Sequence, residues 1–235
     1  MFTYDANYLI DNKLGVIVDA EGTRGNRIEE NRVAVAMVAR VKERFDLKPK
    51  RLAADTAYGS AKTLKALMDH GIEPHIPVWD KSKRTDGTYS RADFRYDTDR
   101  DVYTCPGGKL LQTTGKVHDG KTLIYRTSTR DCGPCPLKER CCPSAPQRKV
   151  PRDVNESVRD YVRALADTPA FKRSRDERKK VEMAFAHMKR ILKLDRFRLR
   201  GLSGVRDEVL LTATAQNLRK LARYVCRPPP TLKAA

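Results

Sequence analysis

The first eighty residues alternate between strand-like and helix-like hydrophobic patterns, and this alternation limits the chain to few folds. The alternating residues 2–11 and the β-branched run 14–20 flank the turn Asn12-Lys13, which predicts a β-hairpin. The next predicted elements are a helix over 27–45, a strand over 51–55, a helix over 61–70 and a strand over 73–78. The order β-β-α-β-α-β predicts an α/β domain in which helices flank a sheet.

The character of the sequence changes after residue 78. Gly, Pro, Asp and Thr separate short predicted strands at 94–96, 102–104 and 122–126, and all cysteines but one lie here. Helical patterns return at 155–167, 175–200 and 205–225. We therefore expect residues 1–78 and 153–226 to form one domain, residues 79–152 to be an insert, and residues 227–235 to be a disordered tail.

Charge indicates the kind of partner. The chain carries 48 Lys and Arg against 30 Asp and Glu, a net charge of +18, which predicts a polyanionic partner, with nucleic acid the first choice. Trp79 is a candidate for stacking on a base, or else an aromatic residue at the edge of the insert.

No apolar run approaches the roughly 18 residues of a membrane span, and no signal peptide pattern is present. We expect a cytoplasmic, nucleoid-associated protein with no membrane partner.

Two acidic residues, far apart in sequence, are candidates for one metal site. Asp55 ends a predicted strand, where open α/β sheets place their sites, and Glu182 lies within the basic stretch 175–200. On a helix, four cations fall on one stripe with Glu182: Arg175, Arg178, Lys189 and Lys193. Converging carboxylates suit Mg²⁺ or Mn²⁺ and phosphoryl transfer. The alternative is structural, with Asp55 capping its turn and Glu182 forming a salt bridge on a solvated helix.

The cysteines form the second constellation. Cys105 is followed by Cys132-x2-Cys135 and by Cys141-Cys142, in a compartment where disulfides are rare. The spacing predicts a structural Zn²⁺ site made by Cys105, Cys132, Cys135 and either Cys141 or Cys142, which would make the insert zinc-ribbon-like. The alternatives are free cysteines of a lost site, or reactive thiols.

Two segments resemble the catalytic motifs of bacterial insertion-sequence DDE transposases. The segment ADTAYGSAKTL at 54–64 resembles the Asp-x-Gly-Tyr-x-Ser motif around the second catalytic Asp, with Ala57 in place of the usual Gly. The segment RDERKKVEMAFAHMK at 175–189 resembles the tyrosine–arginine–glutamate–lysine signature around the third acid. Arg178, Glu182 and Lys189 fit its spacing, and Arg175 replaces the Tyr. Residues 201–222 are similar to the final helix of the same family.

The resemblance implies an RNase H-like fold, a mixed sheet flanked by helices, with the cysteine-rich insert between the second and third acids. It also implies metal-dependent cleavage and transfer of DNA strands at insertion-sequence ends, by a protein that is a homodimer when intact. Mg²⁺ or Mn²⁺ would bind at Asp55 and Glu182. Arg178 and Lys189 would contact phosphates of double-stranded DNA.

The resemblance also implies that one acid is missing. The family's first catalytic Asp lies on the strand before the hairpin, whereas Asp5, Asp11 and Asp19 match the next two strands. We therefore expect a C-terminal portion of a transposase with impaired metal binding and cleavage. Two rival interpretations are a non-catalytic, zinc-containing DNA-binding module and an inactive transposase remnant.

Overall fold

The computed structural model describes residues 3–80 and 84–226, apart from the side chains of residues 27–31. The chain divides into two compact units, one of Met1–Pro77 with Val162–Ala235 and one of Val78–Tyr161. The predicted tail 227–235 and the predicted start of the hairpin at Phe2 lie outside the described residues.

The strands and helices follow in chain order: β1 (Tyr4–Ile10), β2 (Ile17–Arg24), α1 (Arg27–Phe45), β3 (Arg51–Ala53), α2 (Ala61–Asp69), β4 (Glu73–His75), β5 (Arg95–Asp97), β6 (Val102–Thr104), β7 (Leu110–Leu111), β8 (Val117–His118), β9 (Thr122–Arg126), α3 (Thr129–Cys132), α4 (Lys138–Cys141), β10 (Lys149–Asp153), α5 (Glu156–Leu165), α6 (Pro169–Arg190) and α7 (Gly201–Val225). The predicted mixed α/β class is confirmed. Among the described residues, no helix is both long and apolar enough to cross a membrane.

The first unit contains two small sheets. β1 and β2 form the expected antiparallel hairpin, in which Tyr4 pairs with Arg24. β3 and β4 are parallel and joined through α2, with Ala53 opposite His75. Within residues 3–80 and 84–226, no strand joins these two sheets, so they do not form the one continuous mixed sheet that was expected.

Helix α2 begins where the sequence predicts. The Ser60 hydroxyl accepts a hydrogen bond from the Thr63 amide at 3.2 Å, the usual cap of a helix N-terminus. Leu64 and Leu67 lie on its inner face and are fully buried. This packing fixes the chain that follows β3.

The basic helix α6 ends earlier than predicted. Its start is capped by Thr168, whose hydroxyl accepts from the Phe171 amide at 3.2 Å, and its last residue is Arg190. Lys193 has a φ of +57°, in the left-handed region that an α-helix excludes. The expectation that Lys193 shares a helical stripe with Glu182 is therefore wrong.

Helix α7 covers the hairpin. Val205, Val209 and Ala213 are buried against Ile17 and Ala20 of β2. The apolar spacing of three to four residues on α7 faces the alternate residues of the strand, so each element buries the other's apolar side.

The second unit holds the cysteines and two three-stranded antiparallel sheets, in the orders β5-β6-β7 and β10-β9-β8. Its core is one cluster of eight buried residues: Phe94, Tyr103, Leu111, Tyr125, Cys132, Cys141, Cys142 and Val150. Three of the six cysteines are therefore part of the core itself.

Candidate active site

Asp55 and Glu182 line the same cavity in the first unit. The cavity has a volume of about 1140 Å³ and is bordered by β1, β3, α1 and α6. Asp55 reaches it from the loop after β3, and Glu182 from the middle of α6. Two acids that are 127 positions apart in sequence (182 − 55) thus border the same cavity.

The loop after β3 fixes the position of Asp55. One carboxylate oxygen, Oδ1, accepts a hydrogen bond from the Ala57 amide at 2.9 Å and caps the short 3-10 turn Thr56–Tyr58. At the end of this turn, the Tyr58 hydroxyl donates to Asn7 Oδ1 at 2.8 Å. Asp55 therefore performs the capping role that the sequence left open, through one of its two oxygens.

Glu182 is exposed, and a residue of β1 packs against the helix that carries it. The side chain of Glu182 is 62% exposed and pairs with Arg178 at 3.5 Å, a contact of small energetic value at a protein surface. The Tyr8 ring stacks on Phe185 with centroids 4.9 Å apart, and its hydroxyl donates to Met188 Sδ at 3.4 Å. Burial raises the pKa of Tyr8 to about 12, so this hydroxyl keeps its proton at neutral pH.

The cavity combines acids with cations. Its acidic lining residues are Asp5, Asp11, Asp55, Glu177, Glu182 and Asp195. Its basic lining residues are Lys13, Lys48, Arg51, Arg178, Lys180, Lys189 and Arg196. In the sequence analysis, Asp5 and Asp11 were assigned to strands that do not carry the metal ligand. Glu177, Asp195 and the cations of the hairpin and β3 were not considered there, because no local motif marks them.

The predicted DNA-contacting residues separate into two groups. Arg178 and Lys189 line the cavity with the two acids, whereas Arg175 and Lys193 are exposed and are not among its lining residues. Trp79 is half-buried in the second unit, where its main-chain oxygen accepts a hydrogen bond from the Arg159 guanidinium. Only two of the five residues therefore share the cavity with Asp55 and Glu182.

In the part of the chain that the structure describes, the cavity lies along two strands that each pair on one side only, β1 with β2 and β3 with β4. Every residue of β1 and of β3 lines it, whereas β2 contributes only Val18 and β4 contributes none.

The carboxylates fit a hard cation by their chemistry but are few in number. Oxygen ligands are those that Mg²⁺ and Mn²⁺ prefer. In the part of the chain that the structure describes, no group of three His, Cys, Asp or Glu side chains is arranged to hold a metal ion. Asp55 and Glu182 alone would leave most coordination positions to water.

Five cysteines line a separate small cavity of about 20 Å³ in the second unit: Cys105, Cys132, Cys135, Cys141 and Cys142. A methyl group placed on Gly107 would lie 3.6 Å from Cys135 Sγ and 3.7 Å from Cys105 Sγ, so both sulfurs border one space. Cys226, in contrast, is exposed at the end of α7.

Two of the thiols at this cavity, Cys141 and Cys142, favour the protonated form. Burial, followed by the neighbouring Cys142, raises the pKa of Cys141 to about 11. Burial and the nearby Cys132 likewise raise the pKa of Cys142. The Lys109 amide donates to Cys105 Sγ at 3.3 Å. Thiolate sulfur is a soft ligand of the kind that zinc accepts. Among the described residues, however, the cysteine sulfurs are not arranged as a metal-binding group.

The first unit is thus an α/β domain whose cavity joins candidate metal ligands to cations, a combination typical of proteins that act on phosphodiesters. The family model of the transposase DDE domain matches residues 104–222, slightly more than half of the chain, and the chain belongs to this family. Membership implies a DNA partner and the use of divalent metal ions. No curated protein and no solved structure shows significant similarity to the chain. The match includes Glu182 and the five clustered cysteines, and it does not extend to Asp55.

Proposed function

We propose that this chain acts as the catalytic part of an insertion-sequence DDE transposase, and that Asp55 and Glu182 together hold Mg²⁺ or Mn²⁺. The observation that carries the proposal is that these two acids line one cavity with Arg178 and Lys189. A bound divalent cation would supply Lewis-acid stabilisation of charge on the phosphodiester oxygens. The residues of the chain hold the carboxylates in place and bind the DNA.

The basic residues would bind DNA at different positions and with different geometries. Arg178 offers a planar guanidinium that suits two phosphate oxygens at once, and Lys189 offers a compact charge. Both line the cavity beside the acids, so they would hold the strand that is to be cut. Arg175, Lys193 and Trp79 would make further contacts with DNA, within a homodimer on the nucleoid.

The cavity along β1 and β3 supports the further proposal that the RNase H-like domain contains one more strand. In this proposal residues 1–78 and 153–226 form the domain, residues 79–152 form the insert, and a strand that carries the first catalytic Asp pairs with the open edges of β1 and β3. The cavity borders every residue of β1 and of β3, which supports this arrangement. With two carboxylates alone, metal binding and strand cleavage would be slow and weak.

Salt dependence of DNA binding tests the role of the two cavity cations. We expect the affinity for a short duplex to fall steeply with salt, and the double variant Arg178→Gln/Lys189→Gln to lower the slope of log Kd against log salt by about 2, because each lost phosphate contact removes about 1. Fluorescence anisotropy from 50 to 200 mM salt measures this. The double variant Lys42→Gln/Lys65→Gln is the control, since both lysines pair with aspartates away from the cavity. Equal slopes for the two double variants would contradict the proposal.

A non-catalytic DNA-binding module is the second candidate, and the capping bond from Ala57 to Asp55 favours it. Nicking of supercoiled plasmid separates the two functions. The proposal predicts slow nicking that requires Mg²⁺ or Mn²⁺ and is lost in Asp55→Asn. A binding module gives no nicking at any metal concentration. Rapid nicking by the chain as it stands would contradict the proposed shortage of carboxylates.

We also propose that the cysteine cluster holds one structural Zn²⁺ through Cys105, Cys132, Cys135 and either Cys141 or Cys142. Five thiols that border one small cavity support the proposal. Zinc requires thiolates, so its binding would release protons and strengthen as the pH rises toward the raised pKa of Cys141.

Zinc stoichiometry tests this cluster. We expect one zinc ion per chain by elemental analysis, and its loss in Cys132→Ser, because a neutral hydroxyl replaces an anionic sulfur. Cys226→Ser is the matched control and should keep the zinc, since Cys226 is exposed at the end of α7. Comparing Cys141→Ser with Cys142→Ser identifies the fourth ligand. Zinc-free protein with unchanged stability would show that the thiols are only part of a core.

A further inference from the structure

A buried hydrogen-bonded chain connects the strand pair that leads to Asp55 with the helix that carries Glu182. His75, at the end of β4, is 2% exposed, and its Nδ1 lies 2.7 Å from the hydroxyl oxygen of Ser174 in α6. Its Nε2 lies 2.5 Å from Glu73 Oε1. With the ring proton on Nε2, the imidazole donates to the Glu73 carboxylate and accepts from the Ser174 hydroxyl, so both ring nitrogens are satisfied.

The two partners of the His75–Ser174 contact belong to elements that position the candidate metal ligands. His75 pairs in register with Ala53, two residues before Asp55. Ser174 lies eight residues before Glu182 on the same helix, a distance of about 12 Å along its axis at about 1.5 Å per residue. The contact between His75 and Ser174 thus joins the strand pair that leads to Asp55 to the helix that carries Glu182.

The contact is part of an anchor rather than an isolated bond. The His75 ring also packs against Phe171, with centroids 5.2 Å apart. Phe171 and Ser174 are one turn apart and lie on the same side of α6, and both are buried. Glu182 lies between this anchor and the second one, where Tyr8 holds Phe185.

We propose that His75 is a positioning residue, which sets the distance between Asp55 and Glu182 by fixing α6 to β4 through Ser174. This inference rests on the proposed metal site. The order Ser–His–Glu also occurs in hydrolases, where the serine hydroxyl is presented to the substrate, whereas here Ser174 lies within a helix and is 3% exposed.

The test compares Mn²⁺ affinity with stability. His75→Phe keeps a ring against Phe171 and removes both hydrogen bonds, and Ser174→Ala removes only the partner on α6. Each variant should weaken Mn²⁺ binding by about fivefold, the equivalent of about one hydrogen bond. The double variant should be no weaker than the worse single variant, because the two side chains act as one unit. Titration calorimetry on the full chain measures all three.

The control separates positioning from folding. Leu67→Ala removes a fully buried side chain of α2 and lowers the melting temperature, while both His75 and Ser174 are retained. It should leave the Mn²⁺ affinity unchanged at temperatures where the protein is folded. If His75→Phe and Ser174→Ala lower only the melting temperature and leave the Mn²⁺ affinity at the wild-type value, the positioning role is wrong.

Hydrogen exchange measured without metal tests the positioning role of His75 independently of whether the site binds Mn²⁺. Loss of the contact should speed exchange mainly in residues 172–183 of α6 and in residues 52–58. Should wild-type protein bind no Mn²⁺, the proposed function fails, and the exchange pattern still decides whether His75 fixes the helix. Faster exchange spread evenly over the first unit would overturn the positioning role.

Discussion

Asp55→Asn and Glu182→Gln are each expected to weaken Mn²⁺ binding by about 100-fold, because each removes one of only two anionic ligands from the proposed site. The variants are well suited to the question. Asn is as good a cap as Asp and retains the hydrogen bond from the Ala57 amide, so Asp55→Asn changes charge without releasing the turn. Glu182 is exposed, so a neutral amide of the same size costs little stability there.

The matched control is Glu177→Gln. Glu177 lies on the same helix and lines the same cavity, and removing its charge changes the net charge by the same amount. On a helix it lies about 140° around the axis from Glu182, so it should not share the cation. Calorimetric titration with Mn²⁺ should give wild-type affinity for this variant. Similar losses in all three variants would show that the ion responds to the general charge of the cavity rather than to two ligands.

The second large effect is on stability and concerns the other unit. Glu156 is 1% exposed and forms ion pairs with Arg91 at 2.5 Å and with Arg159 at 2.9 Å. Glu156→Ala would remove this carboxylate from two largely buried guanidinium groups, of which Arg91 keeps its ion pair with Asp80 at 2.8 Å. Breaking a buried ion pair from one side typically costs about 3–5 kcal/mol. We expect the second unit to lose about this much unfolding free energy.

Tryptophan fluorescence during urea unfolding measures this loss. Trp79 is the single tryptophan of the chain and lies in the second unit, so its signal reports the unfolding of that unit. Glu139→Ala is the control, because Glu139 is exposed in the same unit, and its removal should change the unfolding free energy by less than about 0.5 kcal/mol. A Glu156→Ala protein as stable as this control would mean that the buried charges rearrange freely toward water.

Local sequence signals predicted the elements around Asp55 well. The strand, the turn after it and the Ser60 cap all arise from contacts within a few residues, and each appears in the structure. The two sheets of the first unit were expected to be one. Strand pairing depends on contacts distant in sequence, and hydrophobic alternation alone does not specify them.

The end of α6 shows what a helical pattern cannot reveal. The apolar spacing continues through Leu192, and no Gly or Pro marks a stop. The helix instead ends because Lys193 adopts a left-handed conformation and the Leu194 amide turns back to the Met188 carbonyl at 3.1 Å. A lysine gives no advance signal of this, because glycine is the residue that commonly adopts this conformation at helix ends.

The candidate site depends on contacts that no local pattern encodes. His75 and Ser174 are 99 positions apart, and Tyr58 and Asn7 are 51 positions apart. In the sequence His75 was only a strand residue beside a proline, and Asn7 was one polar residue of a hairpin. Their partners come from elements that meet only in the folded chain, so their roles could be identified only from the structure.

Paramagnetic broadening of backbone amide signals tests the central claim most directly, because Mn²⁺ broadens signals near the bound ion. With substoichiometric Mn²⁺, the account predicts that amides of residues 53–57 and of residues 179–185 broaden together and at the same concentration, and that Asp55→Asn or Glu182→Gln abolishes the effect on both segments. Broadening of only one segment, or broadening scattered over the acidic surface residues, would contradict a shared cation at Asp55 and Glu182.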